Sequence, residues 1–120
     1  MVTMRALVLA AAALAGLTVS SPAQDYPTKP VRIVVPFAPG GGSDFIGRFI
    51  AQKLSERLGQ QFVVDNRPGA GGNLGAEMAI KSAGDGYTLL LIAGSYTANP
   101  SLYKVGFDPI NDIFPIIQLS

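Results

Sequence analysis

The chain contains no cysteine, no histidine and no tryptophan, and only 14% of its residues are charged. Each shortage excludes a class of function. Without His or Cys there is no zinc site of the usual ligand types, and no Ser-His, Cys-His or thiolate mechanism. Nine Lys and Arg nearly cancel eight Asp and Glu, so no basic surplus is available to neutralise a run of phosphates, and nucleic-acid binding lacks its electrostatic footprint. Disorder is excluded from the other side: 48% of the 120 residues are apolar, more than an unfolded chain carries. Glycine and proline, by contrast, are plentiful at 14 and nine, and they fall in clusters.

The amino-terminal segment reads as a targeting signal rather than as part of a fold. A positive start ending at Arg5 precedes a 12-residue apolar run from Ala6 to Leu17, then small and polar residues to Ala23. That is the three-part pattern of an export signal, with Ser21-Pro22-Ala23 as a small-x-small cleavage site. A membrane-spanning helix needs about 20 apolar residues, so the run is too short to span. Residues 1–23 are therefore expected to be a signal peptide cleaved after Ala23, placing the mature chain in the periplasm.

The remainder alternates between strand-like and helix-like patterns. Val31 to Val35 is a run rich in β-branched residues and reads as a first strand; Pro36 to Gly42 combines two prolines with three glycines and ends it. Ser43 is placed as an N-cap, with Asp44 in the first turn. Phe45, Ile46, Phe49, Ile50, Leu54 and Leu58 then recur at helical spacing and predict an apolar helix face, stopped at Gly59. Gln61 to Val64 reads as a second strand, the Asn66 to Gly72 cluster as a second breaker, and Asn73 as the cap of a helix to about Ser82. After the Asp85-Gly86 turn, Thr88 to Ala93 is apolar at almost every position, the pattern of a strand covered on both faces. Further on, helical turns are expected over Pro100 to Tyr103 and Asp108 to Asp112, and a fourth strand over Phe114 to Leu119. Strands and helices in alternation argue for right-handed crossovers and a parallel α/β sheet.

Both glycine-rich loops join the end of a strand to the start of a helix, where exposed main-chain amides and the helix dipole favour an anion. Nucleotide phosphates fail on spacing. Gly-x-Gly-x-x-Gly counted from Gly40 meets Phe45, counted from Gly69 it meets Leu74, and neither loop supplies the lysine of a phosphate loop. A small organic carboxylate fits better.

Residues 26–44 (YPTKPVRIVVPFAPGGGSD), 65–76 (DNRPGAGGNLGA) and 85–90 (DGYTLL) resemble the Bug family, the extracytoplasmic solute receptors of tripartite tricarboxylate transporters, and the likeness covers essentially all of 26–120. The resemblance implies a periplasmic binding protein-like (type II) α/β fold, a parallel sheet with helices on both faces, that closes over a small carboxylate. It also implies delivery to a two-component membrane permease, and no cofactor, metal or catalytic residue. Carried over residue by residue, it assigns ligand contacts to Phe37, Ala38, Pro39, Gly40, Gly41, Ser43 and Asp44 in the first loop. In the second loop it assigns Gly69, Ala70 and Gly71. The stretch Ser95 to Asn99 after the third strand, Ser95 first, is a further candidate. The Gly40, Gly41 and Gly42 amides and the Ser43 hydroxyl are the expected carboxylate donors. Asp44 is read either as a helix-dipole residue or as a site residue, Arg67 as a loop brace or a carboxylate clamp, and Arg32 as a surface charge. Two domains need roughly 200–300 residues, so residues 24–120 are expected to form an incomplete first domain. The alternatives kept open are a non-functional receptor remnant and a periplasmic α/β enzyme, although no Gly-x-Ser-x-Gly elbow is present.

Overall fold

Valine and isoleucine stiffen an extended backbone and pack well on a pleated surface, and the run Val31–Val35 forms the central strand, β1, of a computed structural model that describes residues 25–119. β2 (Phe62–Asn66) pairs with it in parallel, in register from Val31 opposite Phe62 to Val35 opposite Asn66. β3 (Thr88–Leu90) pairs in parallel on the other side, Arg32 opposite Thr88 and Val34 opposite Leu90. The strand order is thus β2-β1-β3. The expected signal peptide and its cleavage site lie outside the described residues.

Successive side chains of a strand point to opposite faces. Val31, Ile33 and Val35 share one face with Ala51 and Phe62, and Leu54, Val64, Leu89 and Leu91 pack around them. Each fully buried Val or Ile contributes roughly 1.5–3 kcal/mol. Helix α1 (Gly42–Leu58) lies on this face. The opposite face carries Arg32 and Val34 under helix α2 (Asn73–Ile80); Arg32 Nη2 is 3.4 Å from Ser82 Oγ just beyond that helix. Helices therefore cover both faces, as the α/β pattern predicts. Arg32 is more than a surface charge. It is half-buried, and it reaches Thr88 Oγ1 at 3.5 Å and Asp65 Oδ2 at 3.7 Å, bridging all three strands.

Four expectations are corrected. Helix α1 does not seat its large apolar residues on the sheet: it buries Asp44, Gly47 and Ala51, while Phe45 is 73% and Phe49 56% exposed. Its apolar pattern is wide enough to offer several faces, and the small residues decide among them because they let the backbone descend. A Cβ on Gly47 would stand only 3.1 Å from Val35 Cγ2. Second, β3 covers Thr88–Leu90 rather than reaching Ala93 and is half-buried throughout. The amide of Leu91 adds one more bond to the Val34 carbonyl, and the chain then leaves the ladder. Third, residues 113–119 form no strand; Phe114 is 90% exposed. Fourth, a helix α3 (Ser95–Leu102) occupies the stretch read as a loop plus one turn, with Pro100 inside it. The turn at Asp108 to Asp112 is present, its Asp108 Oδ1 accepting from the amides of Ile110 and Asn111.

At the amino end of the sheet a short strap is tied down. Tyr26 donates its hydroxyl to the Gly86 carbonyl at 2.5 Å, the Thr28 amide donates to Tyr87 Oη at 3.0 Å, and Lys29 Nζ sits 4.4 Å from the centre of the Tyr87 ring. Among the described residues no helix is long and apolar enough to cross a membrane.

Among the described glycines the tightest approach is at Gly75 in α2, where a Cβ would lie 2.5 Å from the Arg67 carbonyl oxygen and 2.9 Å from Pro36 Cβ. Gly75→Ala is therefore expected to destabilise the chain by about 1–3 kcal/mol in urea unfolding. Gly84→Ala, whose Cβ would meet nothing within 4 Å, is expected to change stability by less than about 0.5 kcal/mol.

Candidate ligand-binding site

In an open parallel sheet the chain leaves the carboxyl ends of neighbouring strands in opposite directions at one point, and the crevice there is where ligands settle. With the order β2-β1-β3 that point lies between β1 and β3. Three helices begin at this end: α1 after β1, the 3-10 turn Ala70–Gly72 running into α2 after β2, and α3 after β3. Each helix start leaves amides without intrahelical partners and carries partial positive charge.

The first loop starts at Pro36, which has no amide to extend the ladder. Helix α1 is capped by the extended backbone of Gly41 (φ −86°, ψ 175°) without a side-chain cap. Its first intrahelical bond is Phe45 N to Gly41 O at 3.0 Å. Ser43 is thus inside the first turn, half-buried, rather than at the cap. The capping work is done backwards by Asp44. Its Oδ2 accepts from the Gly40 amide at 2.9 Å and from Arg48 Nε at 3.0 Å, and its Oδ1 accepts from Asn66 Nδ2 at 3.0 Å. Asn66 Nδ2 also donates to the Phe37 carbonyl at 3.2 Å, and Arg48 Nη2 to Asn66 Oδ1 at 3.2 Å. The loop is locked at both ends to the start of α1 and the end of β2. With Asp44 buried and so bonded, the Arg48 guanidinium first, then the Gly40 amide and Asn66, hold its carboxyl well below the usual range, at about 2. Gly40, one of the expected donors, has its amide committed to Asp44, leaving those of Gly41, Gly42 and Ser43 ahead of the first intrahelical bond.

The second loop takes an unusual path. Gly69, Ala70, Gly71 and Gly72 all have positive φ (137°, 48°, 67° and 95°). Glycine adopts such angles without a Cβ clash, and Ala70 is held there as the exception. Gly72, not Asn73, caps α2. Asn73 instead lies buried at the first helical position, its Oδ1 accepting from Asn99 Nδ2 at 2.8 Å. The Phe37 ring packs on this loop, within 3.5 Å of where a Gly72 Cβ would be. Arg67 turns away from it and braces β2, its Nε 2.9 and 3.0 Å from the two Asp65 oxygens.

Between the loops lies a shallow open depression. Of the residues assigned from sequence, Phe37, Gly71 and Ser95 line it together; Pro36, Gly72, Ile92, Ala93, Tyr96 and Asn99 complete its wall. Ala38, Pro39, Gly40 and Gly41 form an exposed stretch of the first loop, with Ser43 beside them at the start of α1. Asp44 is buried beneath that loop, and Gly69 and Ala70 are exposed on the second. Asn66 and Arg48 were missed by sequence reading, whereas Asn99 closes the Ser95 to Asn99 stretch that it offered as a further candidate. The spacing of Arg48, four residues after Asp44, was a readable sign of an ion pair on one helix face. The partnership of Asn99 with residues 26 and 28 positions earlier had no local sign.

Among the described residues Asp44 is the only acid in a first helical turn, and Arg48 offsets it. No described cluster of His, Cys, Asp or Glu could hold a metal ion. The depression is therefore lined by the Phe37 ring and by the starts of α2 and α3, with the exposed first loop and the start of α1 beyond its lining, an arrangement that favours a small anion with an apolar stem.

The Asp44 network predicts a pH dependence. Its folded pKa of about 2 lies below the ordinary value of about 3.9. The stabilisation is thus fully present above about pH 4 and is lost as pH falls through about 2. In acid titrations followed by urea unfolding, the wild-type chain is expected to lose stability over this window relative to Asp44→Asn, and the two curves converge toward pH 2. Parallel curves from pH 5 to pH 2 would refute the network.

Comparison with known proteins gives consistent matches. A family model described as the tripartite tricarboxylate transporter family receptor matches residues 46–120. The UPF0065 protein in the tcbD-tcbE intergenic region of Pseudomonas sp. (strain P51) is 41% identical over 117 residues, covering 94% of this chain and 35% of that protein. Protein BugT of Bordetella pertussis is 42% identical over 111 residues, covering 87% and 33%. The chain thus spans about a third of the length of the curated relatives it matches. Among solved structures, the periplasmic binding protein BugD superposes with a TM-score of 0.70 at 41% identity, covering 72% of this chain and 29% of that one. MatC from Rhodopseudomonas palustris, solved with bound malate, gives 0.67 at 37%, covering 72% and 30%. An R. palustris protein solved with adipate gives 0.53 at 49%, covering 54% and 22%.

Proposed function

The chain belongs to the tripartite tricarboxylate transporter receptor family, and on that premise we propose that it serves as the amino-terminal part of a periplasmic receptor for a small organic carboxylate. The observation that carries this reading is that three helices begin at the carboxyl end of the sheet around its switch point, with the starts of α2 and α3 lining one depression there. A carboxylate there accepts from the amides of Gly41, Gly42 and Ser43 and the Ser43 hydroxyl on one side and from the Gly69–Gly71 loop on the other. Each helix dipole adds about 0.3–1 kcal/mol at an exposed site, and each bond to the charged group about 1.5–3 kcal/mol. Phe37 packs against the ligand stem, and Ser95 offers its hydroxyl at the start of α3. Asp44 does not touch the ligand in this reading; bonded to Arg48, Asn66 and Gly40, it holds the first loop in place. Support comes from relatives of the same fold that were solved with malate and with adipate, and the family, being one of receptors, sets aside the enzyme alternative.

The reading extends to the rest of the pathway as the family implies it. Residues 1–23 export the chain, residues 24–120 contribute to the first binding domain, and the loaded receptor hands its carboxylate to the two-component membrane permease of the transporter.

The test is a titration of the full chain with malate, adipate and citrate, followed by 15N amide shifts. Millimolar carboxylate is expected to move the amides of Gly41 to Ser43 and Gly69 to Gly71, with propanediol and putrescine as inert controls. Gly41→Asp, whose Cβ would have only the Ala38 carbonyl oxygen at 3.9 Å for company, is expected to abolish those shifts while moving Tm by no more than a few degrees. If no carboxylate moves either loop, the proposed function falls.

A further inference from the structure

The second glycine-rich loop holds four consecutive residues at positive φ, including one alanine, and something outside the loop must keep it there. Its own backbone bonds are short-range. Gly72 N donates to Gly69 O at 2.9 Å, Asn73 N donates to Ala70 O, and Leu74 N donates weakly to Gly69 O at 3.5 Å. These stay within the loop and the start of α2, and none of them engages the carbonyl of Gly71.

Asn99 does. It stands in the middle of α3, 6% exposed, and its Nδ2 donates to Gly71 O at 2.9 Å and to Asn73 Oδ1 at 2.8 Å. An amide nitrogen has two hydrogens, so both are committed, and the two acceptors bracket Gly72, the left-handed cap of α2. A peptide unit is rigid. Fixing the Gly71 carbonyl toward Asn99 therefore fixes the plane of the Gly71–Gly72 peptide, and with it the turn that presents the loop. The loop's own bonds close its turns but leave the Gly71 carbonyl to Asn99, and glycine itself populates both signs of φ with similar ease.

We infer that Asn99 is a positioning residue for the anion site, acting through Gly71 to hold the Gly69–Gly72 loop in its left-handed path, and not through a bond to the ligand. The inference rests on the carboxylate reading for its functional meaning and on the Asn99–Gly71–Asn73 hydrogen bonds for its structural content. It also explains why a helix, rather than a free loop, follows β3: α3 carries the tie that joins the second strand's loop to the third strand's end. Affinity for an anion then depends in part on a buried amide that does not itself bond the ligand.

Asn99→Asp keeps the shape of the side chain but sets a carboxylate against two acceptors; Asn99→Ser shortens it beyond reach of either. In 15N spectra of the full, ligand-free chain, both variants are expected to shift or broaden the amide signals of Gly71 and Gly72. The sheet amides of Val34 and Leu91 are expected to stay in place. A residue that only adds global stability lowers Tm without moving native loop signals. In malate titrations the variants are expected to bind about tenfold more weakly than wild type, the equivalent of one hydrogen bond. Should Asn99→Asp lose its sheet signals altogether, Asn99→Ser carries the test. Gly71 and Gly72 signals that coincide with wild type in a folded variant overturn the positioning role. If wild type binds no carboxylate, the carboxylate reading fails, and the loop signals still decide whether Asn99 sets the loop.

Discussion

Every part of the candidate site is placed by the burial of β1. It is the strand with a parallel neighbour on each side and a helix over each face, and Val31, Val34 and Val35 are completely buried. A parallel pair cannot be closed by a tight hairpin, so each neighbour requires a crossover. Here the crossovers leave on opposite faces, and the opening between β1 and β3 follows from that geometry before any side chain is chosen. The small residues Gly47 and Gly75 bring the crossover helices close against the ends of β1 and β2.

The electrostatics at that opening follow from how one acid is used. Asp44 in the first turn of α1 stands where an acid would compete with a bound anion. Its negative charge is instead taken up by Arg48, the Gly40 amide and Asn66. The network spends the acid on shaping the first loop, so its charge is offset at the start of α1. The two loops are thus stabilised by different means: the first by an ion pair with its surrounding hydrogen bonds, the second by a neutral asparagine on another helix.

Much of this was legible in the sequence, and the limits have physical causes. The β-branched run 31–35, the proline and glycine clusters and the stop at Gly59 are local signals, and each marks an element the structure contains. The likeness of 26–44, 65–76 and 85–90 to carboxylate receptors carried the family and the fold. Three residues it pointed to, Phe37, Gly71 and Ser95, meet in one depression. The seating of α1 was misread because periodicity weighs large apolar residues, whereas close packing against a valine strand is decided by where the backbone can descend. The extent of β3 was misread because an apolar run fixes tendency and not partners; with β1 on one side only, the strand ends where its ladder does. Ser43 and Asn73 were taken as caps from residue type, but glycine backbone took both positions. It freed Asn73 for a buried bond that depends on a residue in α3 and so on the tertiary fold.

The strap at Tyr26 to Lys29 has a practical consequence. Its ties to Gly86 and Tyr87 hold it at the amino end of the sheet, a strand's length of roughly 15 Å from the glycine loops at the carboxyl end. A fluorophore or purification handle joined just ahead of Asp25 would start from the far pole of the molecule, leaving the mouth of the depression open to solvent. The same separation puts the Tyr26–Tyr87 ring pair, 5.2 Å apart, at the opposite pole from Tyr96, which lines the depression, so tyrosine emission reports on both poles at once.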